Sequence, residues 1–387
     1  MAVIKRVRLS EIAELVTKGT TPTTLGYEFQ DTGVNFLKIE CFSEKGDYIQ
    51  NKATHISEEC HEKLKRSQLK EGDILFSIAG VIGRVAIVTR NMLPANINQA
   101  LAIIRIKKDD IYLPYVKLIL TSPLIKKQFE RKKQGVAQLN ISLKDINDLE
   151  IPLPEIGKQI EYANSFKKVE KLIYTRQYQL QKLDELVKAR FVEMFGDCKS
   201  RVSMNELCSI ITDGTHQPPR FQESGIPFIF VSNLVGNVVT YNAEKFISED
   251  TYAELYKRTP IEIGDLLLST VGSYGHPAVV TEDRKFLFQR HIAYLKPRHN
   301  MVNSFYLHSA LLAPDGQRQI EEKVKGIAQK TLNLSEIKKI VVPLPTIEEQ
   351  NQFEKFVNQT DKSKVAVQKS LDEAQLLFDS LMQQYFG

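Results

Sequence analysis

The 387-residue sequence has few of the features that mark secreted, membrane or zinc proteins. Its four cysteines are Cys41, Cys60, Cys198 and Cys208, and they form no C-x-x-C pair followed by a His-x-x-x-His pair. The opening residues, MAVIKRVRLSEI, lack the apolar segment of a secretory leader, and no apolar run approaches the length of a membrane span. We therefore expect a cytoplasmic chain with reduced thiols, no metal site and no membrane helix.

Histidine is also sparse, and a catalytic constellation is not visible. The seven histidines are scattered and form no H-E-x-x-H motif. Residues 217–220, Gln-Pro-Pro-Arg, are similar to the N-P-P-aromatic loop of amino-methyltransferases. They lack the amide at the right position and the aromatic ring that stacks a flipped base. A cryptic methyltransferase site stays open as an alternative.

A second enzymatic alternative concerns a nuclease-like signature. Pro314-Asp315, with Glu321 and Lys323 downstream, is similar to the P-D…E-x-K pattern. Its spacing is short and the segment has helical character, which favours an exposed charged helix. The runner-up hypothesis is nevertheless an enzyme that acts on nucleic acid through Asp315, Glu321 and Lys323 or through the methyltransferase-like loop.

Composition fits a soluble globular chain long enough for two domains. Apolar residues make up 42% and charged residues 26% of the sequence, and the net charge is +5. A mild positive charge is compatible with a polyanionic partner and does not by itself establish one. A scaffold that binds only protein therefore stays open.

The most informative feature present is an internal repeat whose offset settles at 191 residues. Pro152-Leu153-Pro154 returns as Pro343-Leu344-Pro345, and Phe195-Gly196 returns as Phe386-Gly387. Upstream the offset drifts to 192 and then 195, so small insertions are expected in loops. A long period with matched glycines and prolines indicates two copies of one domain.

Each copy begins with about 150 residues of mixed strand and helix signals. Short runs rich in β-branched residues and bounded by Gly, Asn or Pro predict strands. In copy one these runs are 34–39, 73–78, 85–88 and 101–106, and in copy two they are 228–231, 266–270, 278–280 and 292–295. Residues from Pro114 to about Lys133 have helical spacing.

Each copy then continues into one long helix. Residues 157–195 contain no proline, and apolar residues recur every seven positions. One seam consists of Phe166, Ile173, Leu180, Val187 and Met194, and the corresponding seam of copy two includes Val357, Leu371, Phe378 and Tyr385. Thr360 and Lys364 are expected to weaken the second seam. A helix of this length would be roughly 60 Å long and needs a partner along its length.

Connectivity predicts how the two helices pair. Domain two begins where helix one ends, and helix two begins where domain two ends. We therefore expect an antiparallel two-helix coiled coil in an α+β protein with two tandem, pseudo-symmetric, mixed α/β domains. The predicted boundaries are 1–154 and 197–345 for the domains, and 155–196 and 346–387 for the helices.

The strongest local motif is G-D-[IL]-L-x-S-x-x-G-x-x-G, which begins at Gly72 and again at Gly264. One interpretation is a hairpin whose glycines supply positive φ. Another is a loop whose backbone N–H groups approach phosphates. RNA-binding KH domains also contain G-x-x-G, but there the motif lies between helices, whereas here it lies between strands.

Together these motifs resemble the specificity subunit of type I restriction–modification systems. The resemblance covers essentially the whole chain: L-S-E-I-A-E-L-V-T-K-G-T-T-P, the glycine motif, I-P-L-P, a downstream glutamine and a long helix, with the framework given twice. It implies two target-recognition domains, each reading half of a split, asymmetric DNA sequence, with the coiled coil as spacer. It implies no catalysis and no cofactor in this chain. Two methyltransferase subunits would methylate adenine with S-adenosylmethionine, and restriction subunits would use ATP and Mg²⁺.

Candidate contacts to double-stranded DNA fall in three loops and a basic segment of each copy. The first loop, placed after the opening helix, offers Lys18, Thr20, Thr21 and Thr23, and in copy two Thr215, His216, Gln217 and Arg220. The glycine hairpin offers Ser77 and Arg84, and in copy two Ser269, Ser273, Tyr274 and His276. The amide-rich stretch offers Asn96, Asn98 and Gln99, and in copy two Gln289, Arg290 and His291. Lys132 and Lys133, with Lys325 and Lys330 in copy two, suit sequence-blind phosphate contact.

Overall fold

The structure is a computed structural model that describes residues 5–107, 110–130, 140–326 and 329–386. The chain forms two compact units, one of Met1–Thr175 with Ser370–Gly387 and one of Arg176–Lys369. Each unit contains one copy of the globular part of the repeat and a section of each of two 40-residue helices. Unit 1 and unit 2 denote these two parts below.

The described residues of unit 1 form nine short strands. They are β1 (Arg6–Arg8), β2 (Ala13–Lys18), β3 (Val34–Leu37), β4 (Thr54–Ile56), β5 (Ile74–Ser77), β6 (Val85–Ile87), β7 (Ala95–Ile97), β8 (Leu101–Ile106) and β9 (Glu150–Pro152). The helices of the first repeat are α1 (Leu9–Ile12), α2 (Glu58–Lys63), α3 (Leu113–Leu120), α4 (Pro123–Glu130), α5 (Leu143–Asn147) and the long α6 (Ile156–Phe195).

The described strands of unit 1 form three sheets. The main sheet is antiparallel with strand order β2-β8-β5-β6, and a three-stranded sheet has the order β4-β3-β7. Strands β1 and β9 pair where the chain enters and leaves the domain. Phe76 on the main sheet and Tyr115 on α3 are fully buried in one core with Phe166 of α6. The other face of the main sheet buries Leu75 and Ile103 against the smaller sheet.

Unit 2 repeats this arrangement. Its strands are β10 (Arg201–Ser203), β11 (Cys208–Asp213), β12 (Ile226–Ile229), β13 (Lys245–Ile247), β14 (Leu266–Ser269), β15 (Pro277–Val279), β16 (Leu287–Phe288), β17 (Ile292–Pro297) and β18 (Val341–Pro343). Its helices are α7 (Met204–Leu207), α8 (Glu249–Leu255), α9 (Ser304–Leu312), α10 (Pro314–Lys323) and α11 (Leu334–Ile337), followed by the long α12 (Ile347–Phe386).

The sheet orders of unit 2, β11-β17-β14-β15, β13-β12-β16 and β10-β18, match those of unit 1 strand for strand. This match confirms the predicted duplication of an α+β domain. Every strand run named from the sequence contains or overlaps an observed strand. The helix predicted from Pro114 onward is instead two helices, α3 and α4, because the chain turns at Ser122 before Pro123. Lys133, its predicted end, lies outside the described residues.

The long helices pair antiparallel within each unit. In unit 1 the rings of Tyr162 and Tyr385 have centroids 4.2 Å apart, and Phe166 packs against Phe378 at 5.3 Å. In unit 2 Phe191 packs against Phe353 at 5.5 Å. Residues early in one helix therefore meet residues late in the other, as the connectivity predicted.

The buried faces of the helices follow the predicted seams. Phe166 and Ile173 are buried, and Leu180, Val187 and Met194 are half-buried. Spacing of about 3.5 residues keeps one stripe of a helix facing its partner, which is why the heptad pattern is readable in the sequence. Among the described residues, no helix is both long and apolar enough to cross a membrane.

Candidate nucleic-acid interface

Three loops of unit 1 meet at one end of the main sheet. Lys18, the last residue of β2, pairs with Ala102 near the start of β8, and Ser77, the last residue of β5, pairs with Leu101. The antiparallel register therefore brings the loop after β2, the glycine hairpin after β5 and the amide-rich loop before β8 to the same edge. The sequence placed Lys18 after an opening helix. In the structure α1 is only four residues long, and Lys18 ends a strand.

Close backbone approach holds two of these loops together. A Cβ atom on Gly19 would lie 1.9 Å from the carbonyl oxygen of Ile97, so only glycine fits there. The hydroxyl of Thr21 donates a hydrogen bond to the side-chain oxygen of Gln99. The first and third candidate regions thus form one contiguous surface.

The structure corrects two assignments in unit 1. Asn96 is fully buried, and its amide donates to the carbonyl of Leu64 and to the hydroxyl of Ser67, both at 3.0 Å. Ser77 is also buried; its hydroxyl donates to the carbonyl of Val81 (2.5 Å) and accepts from the N–H of Arg84 (2.8 Å). Because their hydrogen-bonding groups are used inside the fold, neither residue is placed to contact DNA.

Arg84 is half-buried, and its side chain also forms hydrogen bonds within the fold. Its Nη1 donates to the carbonyl oxygens of Phe42 (2.8 Å) and Ile39 (3.3 Å). The positions that remain accessible at this edge are Lys18, Thr20, Thr23 and Gln99, with Thr21 and Asn98 half-buried beside them. The glycine hairpin itself is confirmed: Gly80 and Gly83 have φ values of 70° and 88°. Lys132 and Lys133 lie outside the described residues.

Unit 2 builds the same edge with different side chains. Thr215 pairs with Gln289, and the N–H of Arg290 donates to the carbonyl of Thr215 at 3.0 Å. The N–H of Thr270 donates to the carbonyl of His291 at 2.9 Å. A Cβ atom on Gly214 would lie 2.2 Å from the carbonyl oxygen of Phe288, which repeats the close approach at Gly19.

A polar depression of about 280 Å³ opens at this edge of unit 2. It is lined by Asp213, Thr270, Val271, Arg290, His291, Gln329, Thr331, Leu332, Asn333 and Leu334. Burial, followed by the neighbouring charge of Arg290, lowers the pKa of His291 below 6.5. The lowered pKa favours the neutral imidazole, which can both donate and accept a hydrogen bond.

Corrections also apply to the unit 2 candidates. Ser269 is fully buried, and its hydroxyl accepts from the N–H of His276 at 2.9 Å, as Ser77 does from Arg84. The ring of His276 lies 3.1 Å from the side-chain oxygen of Asn237, which orients it within the fold. Tyr274 donates to Glu321, and Lys330 lies 3.0 Å from the same carboxylate. His216, Gln217, Arg220, Ser273, Arg290 and Lys325 are exposed.

Sequence reasoning missed Arg258. Its Nη2 lies 2.6 Å from one carboxylate oxygen of Asp213, and Nε2 of His216 lies 2.9 Å from the other. Asp213 ends β11 at this sheet edge, so Arg258 is brought there by a segment 45 residues away in sequence. The match of Lys65-Arg66 with Lys257-Arg258 in the repeat could have marked this position.

The aspartate of the G-D motif is buried in both units and binds a side chain of the neighbouring strand. Asp73 is buried, and Nε and Nη2 of Arg105 each lie 2.7 Å from its carboxylate. In unit 2 the buried Asp265 accepts from the Tyr294 hydroxyl at 2.8 Å. Burial raises the pKa of Asp265 above its usual range, although the hydrogen bond from Tyr294 opposes this shift. The motif therefore ties the start of one central strand to its neighbour in both units.

The two acidic residues of the nuclease-like pattern are each engaged by other side chains. Asp315 forms ion pairs with Arg201 and Arg318, and Glu321 is engaged by Tyr274 and Lys330. Within the described ranges, no group of three or more His, Cys, Asp or Glu residues is placed to hold a metal ion. All four cysteines are free thiols, and burial raises the pKa of Cys208 to about 12.

Comparison with known sequences identifies the family. The profile of the type I restriction modification DNA specificity domain matches residues 3–185 and again residues 202–374. The chain belongs to this family. Its two specificity domains correspond to the two copies of the repeat, so the resemblance inferred from the motifs is confirmed.

Curated relatives that match the chain are named as specificity subunits of type I restriction enzymes. The chain is 31% identical over 170 residues to the Type I restriction enzyme EcoBI specificity subunit of Escherichia coli. It is 23% identical over 214 residues to the putative type I restriction enzyme MjaX specificity subunit of Methanocaldococcus jannaschii. These alignments cover 44% and 54% of this chain, and 36% and 50% of the relatives' own lengths.

Solved structures show the same fold. A chain from a structural study of complex assembly and conformational transition of the type I R-M system has a TM-score of 0.63 at 18% identity, covering 99% of this chain and 97% of that one. The crystal structure of a type I restriction–modification system S subunit from M. genitalium has a TM-score of 0.53 at 14% identity. That alignment covers 100% of this specificity chain and 97% of the M. genitalium chain.

Proposed function

We propose that this specificity chain reads a bipartite, asymmetric sequence in double-stranded DNA, with unit 1 reading one half-site and unit 2 the other. The recognition surface of each unit is the sheet edge where the three loops meet. The long helices α6 and α12 set the distance between the half-sites. The working parts are two recognition domains, 1–154 and 197–345, and two spacer helices, 155–196 and 346–387.

The observation that carries the proposal is the same edge built twice with different side chains. Gly19 and Gly214, and the serines at the ends of β5 and β14, hold the loops in the same way in both units. At this edge the two copies diverge: the half-buried Thr21 is matched by the exposed His216, and the exposed Gln99 by the exposed Arg290. Amide side chains recognise adenine and arginine recognises guanine in the major groove, so each surface has chemistry for a different sequence.

Charge supports a modest sequence-blind contribution to binding. A net charge of +5 over the whole chain releases few counterions, which favours recognition that depends on specific contacts and on partners. The chain would direct adenine methylation by two methyltransferase subunits that carry S-adenosylmethionine. ATP-dependent restriction subunits would complete the complex. In this proposal the specificity chain contributes no catalytic group.

The experiment exchanges one unit at a time. The chain is expressed with its methyltransferase subunits, and methylated sites in host DNA are mapped by methylation-sensitive sequencing. Replacing residues 1–150 with the same region of a relative should change one half of the methylated sequence and leave the other half unchanged. A change in both halves, or in neither, would contradict the modular assignment.

The enzymatic alternative is tested separately. The purified chain is incubated with DNA and Mg²⁺, and separately with S-adenosylmethionine. Turnover that disappears in Asp315→Ala would favour a nuclease over a recognition subunit. We expect no turnover, because the carboxylate of Asp315 is already bound by Arg201 and Arg318.

A further inference from the structure

The recognition edges of the two units differ in the charge beside a shared arginine. Arg66 in copy one and Arg258 in copy two occupy matching positions of the repeat, 192 residues apart. Each follows a lysine and precedes the corresponding strand of its own copy. The residue that ends the first edge strand is Lys18 in copy one and Asp213 in copy two. Arg258 therefore pairs with a carboxylate at the end of its edge strand, whereas the matching strand end of copy one carries a cation.

The carboxylate of Asp213 fixes two donors at the edge of unit 2. The side chain of Asp213 is only 16% exposed, while those of Arg258 and His216 are about half exposed. Arg258 uses one terminal nitrogen, Nη2, for this contact. A guanidinium group has five N–H donors in a planar fork, so the remaining donors can face a ligand in a fixed orientation.

A fixed arginine and an unfixed arginine suit different parts of DNA. Reading guanine requires two parallel hydrogen bonds to O6 and N7, and an orientation set in advance reduces the entropy lost on binding. A phosphate accepts hydrogen bonds from many directions, so an arginine that no carboxylate orients can still bind it. Asp213 also lies among other polar candidates for DNA contact, since it lines the same depression as Arg290 and His291.

We infer that Asp213 is a positioning residue that makes Arg258 a reader of guanine in the half-site of unit 2, whereas Arg66 contacts phosphate in unit 1. This inference rests on the proposed function. It also explains why the arginine is shared by both copies although their targets differ: the arginine belongs to the common framework, and its neighbour decides its role.

The chain supplies its own matched control, Arg66→Ala against Arg258→Ala. The whole chain is assembled with its methyltransferase subunits, its methylated sequence is mapped, and binding is measured on DNA duplexes that vary one base pair at a time. Arg258→Ala should reduce discrimination at one G·C position of the second half-site by roughly ten- to a hundredfold. Arg66→Ala should weaken binding uniformly across sequences and lower the slope of log affinity against log salt by about one.

The positioning role is tested with Arg258 in place. Asp213→Lys, which installs the residue of copy one, should lose the same discrimination as Arg258→Ala, and Asp213→Asn should lose less because its side-chain oxygen still accepts a hydrogen bond. The first half-site should be unchanged, and thermal unfolding of each variant should match the wild type, as should that of Glu249→Gln, which breaks an exposed ion pair elsewhere in unit 2.

Two results would overturn the inference while leaving the proposed function intact. The first is full discrimination in Asp213→Lys, and the second is a uniform loss of affinity in Arg258→Ala. A wild-type complex that methylates no bipartite sequence would overturn the proposed function itself. The two failures are therefore distinguishable within one set of measurements.

Discussion

The ammonium nitrogen of Lys364 on α12 lies 2.8 Å from a carboxylate oxygen of Asp184 on α6. Lys364 also lies 3.1 Å from Asp361, one turn earlier on its own helix. The sequence pattern marked Lys364 as a weak point of the seam. The structure instead places it in a three-residue ion network that links the two helices within unit 2.

We expect Lys364→Ala to lower the free energy of unfolding by about 0.5–1 kcal/mol, because the partner carboxylates are more than half exposed to solvent. Burial acts to lower the pKa of Lys364, but hydrogen bonds to Asp184 and Asp361 outweigh it and hold the pKa above 10.5. A raised pKa means that this stabilisation is present below the unfolded value and is lost as pH rises through the folded value. Urea unfolding at pH 7 and above pH 10.5, with Lys362→Ala on the exposed face as control, measures the difference. An equal loss in both variants would contradict this role.

Asp73 and Arg105 form a largely buried ion pair in the main sheet of unit 1. The side chain of Asp73 is 1% exposed and that of Arg105 is 15% exposed. Asp73→Ala leaves a buried guanidinium without its partner, so we expect a loss of about 3–5 kcal/mol. Glu71→Ala breaks the nearby, exposed pair with Arg90 and should cost about 0–1 kcal/mol. Chemical denaturation of both variants tests the contrast, and similar losses would show that burial is not the cause.

Helix length should set the gap in the recognised sequence. Deleting residues 175–181 from α6 and 366–372 from α12 removes one heptad from each helix at matched positions of the repeat. At about 1.5 Å per residue the helix pair shortens by roughly 10 Å, near three base pairs of about 3.4 Å. Methylation mapping should then report a shorter gap or lost binding, because one heptad also changes the rotation of the domains. Methylation at the original spacing would contradict the spacer role.

Tight DNA binding should require the methyltransferase subunits. The small net charge limits sequence-blind affinity, and under the proposed function a target adenine must stay accessible for flipping into a partner's active site. Because the framework is duplicated, we expect two methyltransferase copies per chain, which native mass measurement of the reconstituted complex reports. A one-to-one assembly, or nanomolar specific binding by the lone chain at physiological salt, would show the account to be wrong.

The sequence alone determined the duplication, the mixed sheets and the antiparallel helix pair. These features follow from periodicities that a linear chain displays directly. Apolar residues every seven positions specify a helix seam, and β-branched runs ended by glycine specify strands. Matched glycines such as Gly80 and Gly272 mark backbone conformations that other residues avoid, so they are readable without any tertiary contact.

Only the tertiary structure decided which polar side chains of the three candidate loops reach solvent. Ser77 and Asn96 have polar side chains of the kind that contact DNA. Both are nevertheless buried and hydrogen-bonded inside the fold. The repeated Lys-Arg pair could mark Arg258, but its pairing with Asp213 carried no local signal, because Asp213 lies 45 residues away and reaches it only after β11 joins the main sheet of unit 2. The exposure and pairing of a polar side chain depend on which distant segments pack around it, and that information is not periodic along the chain.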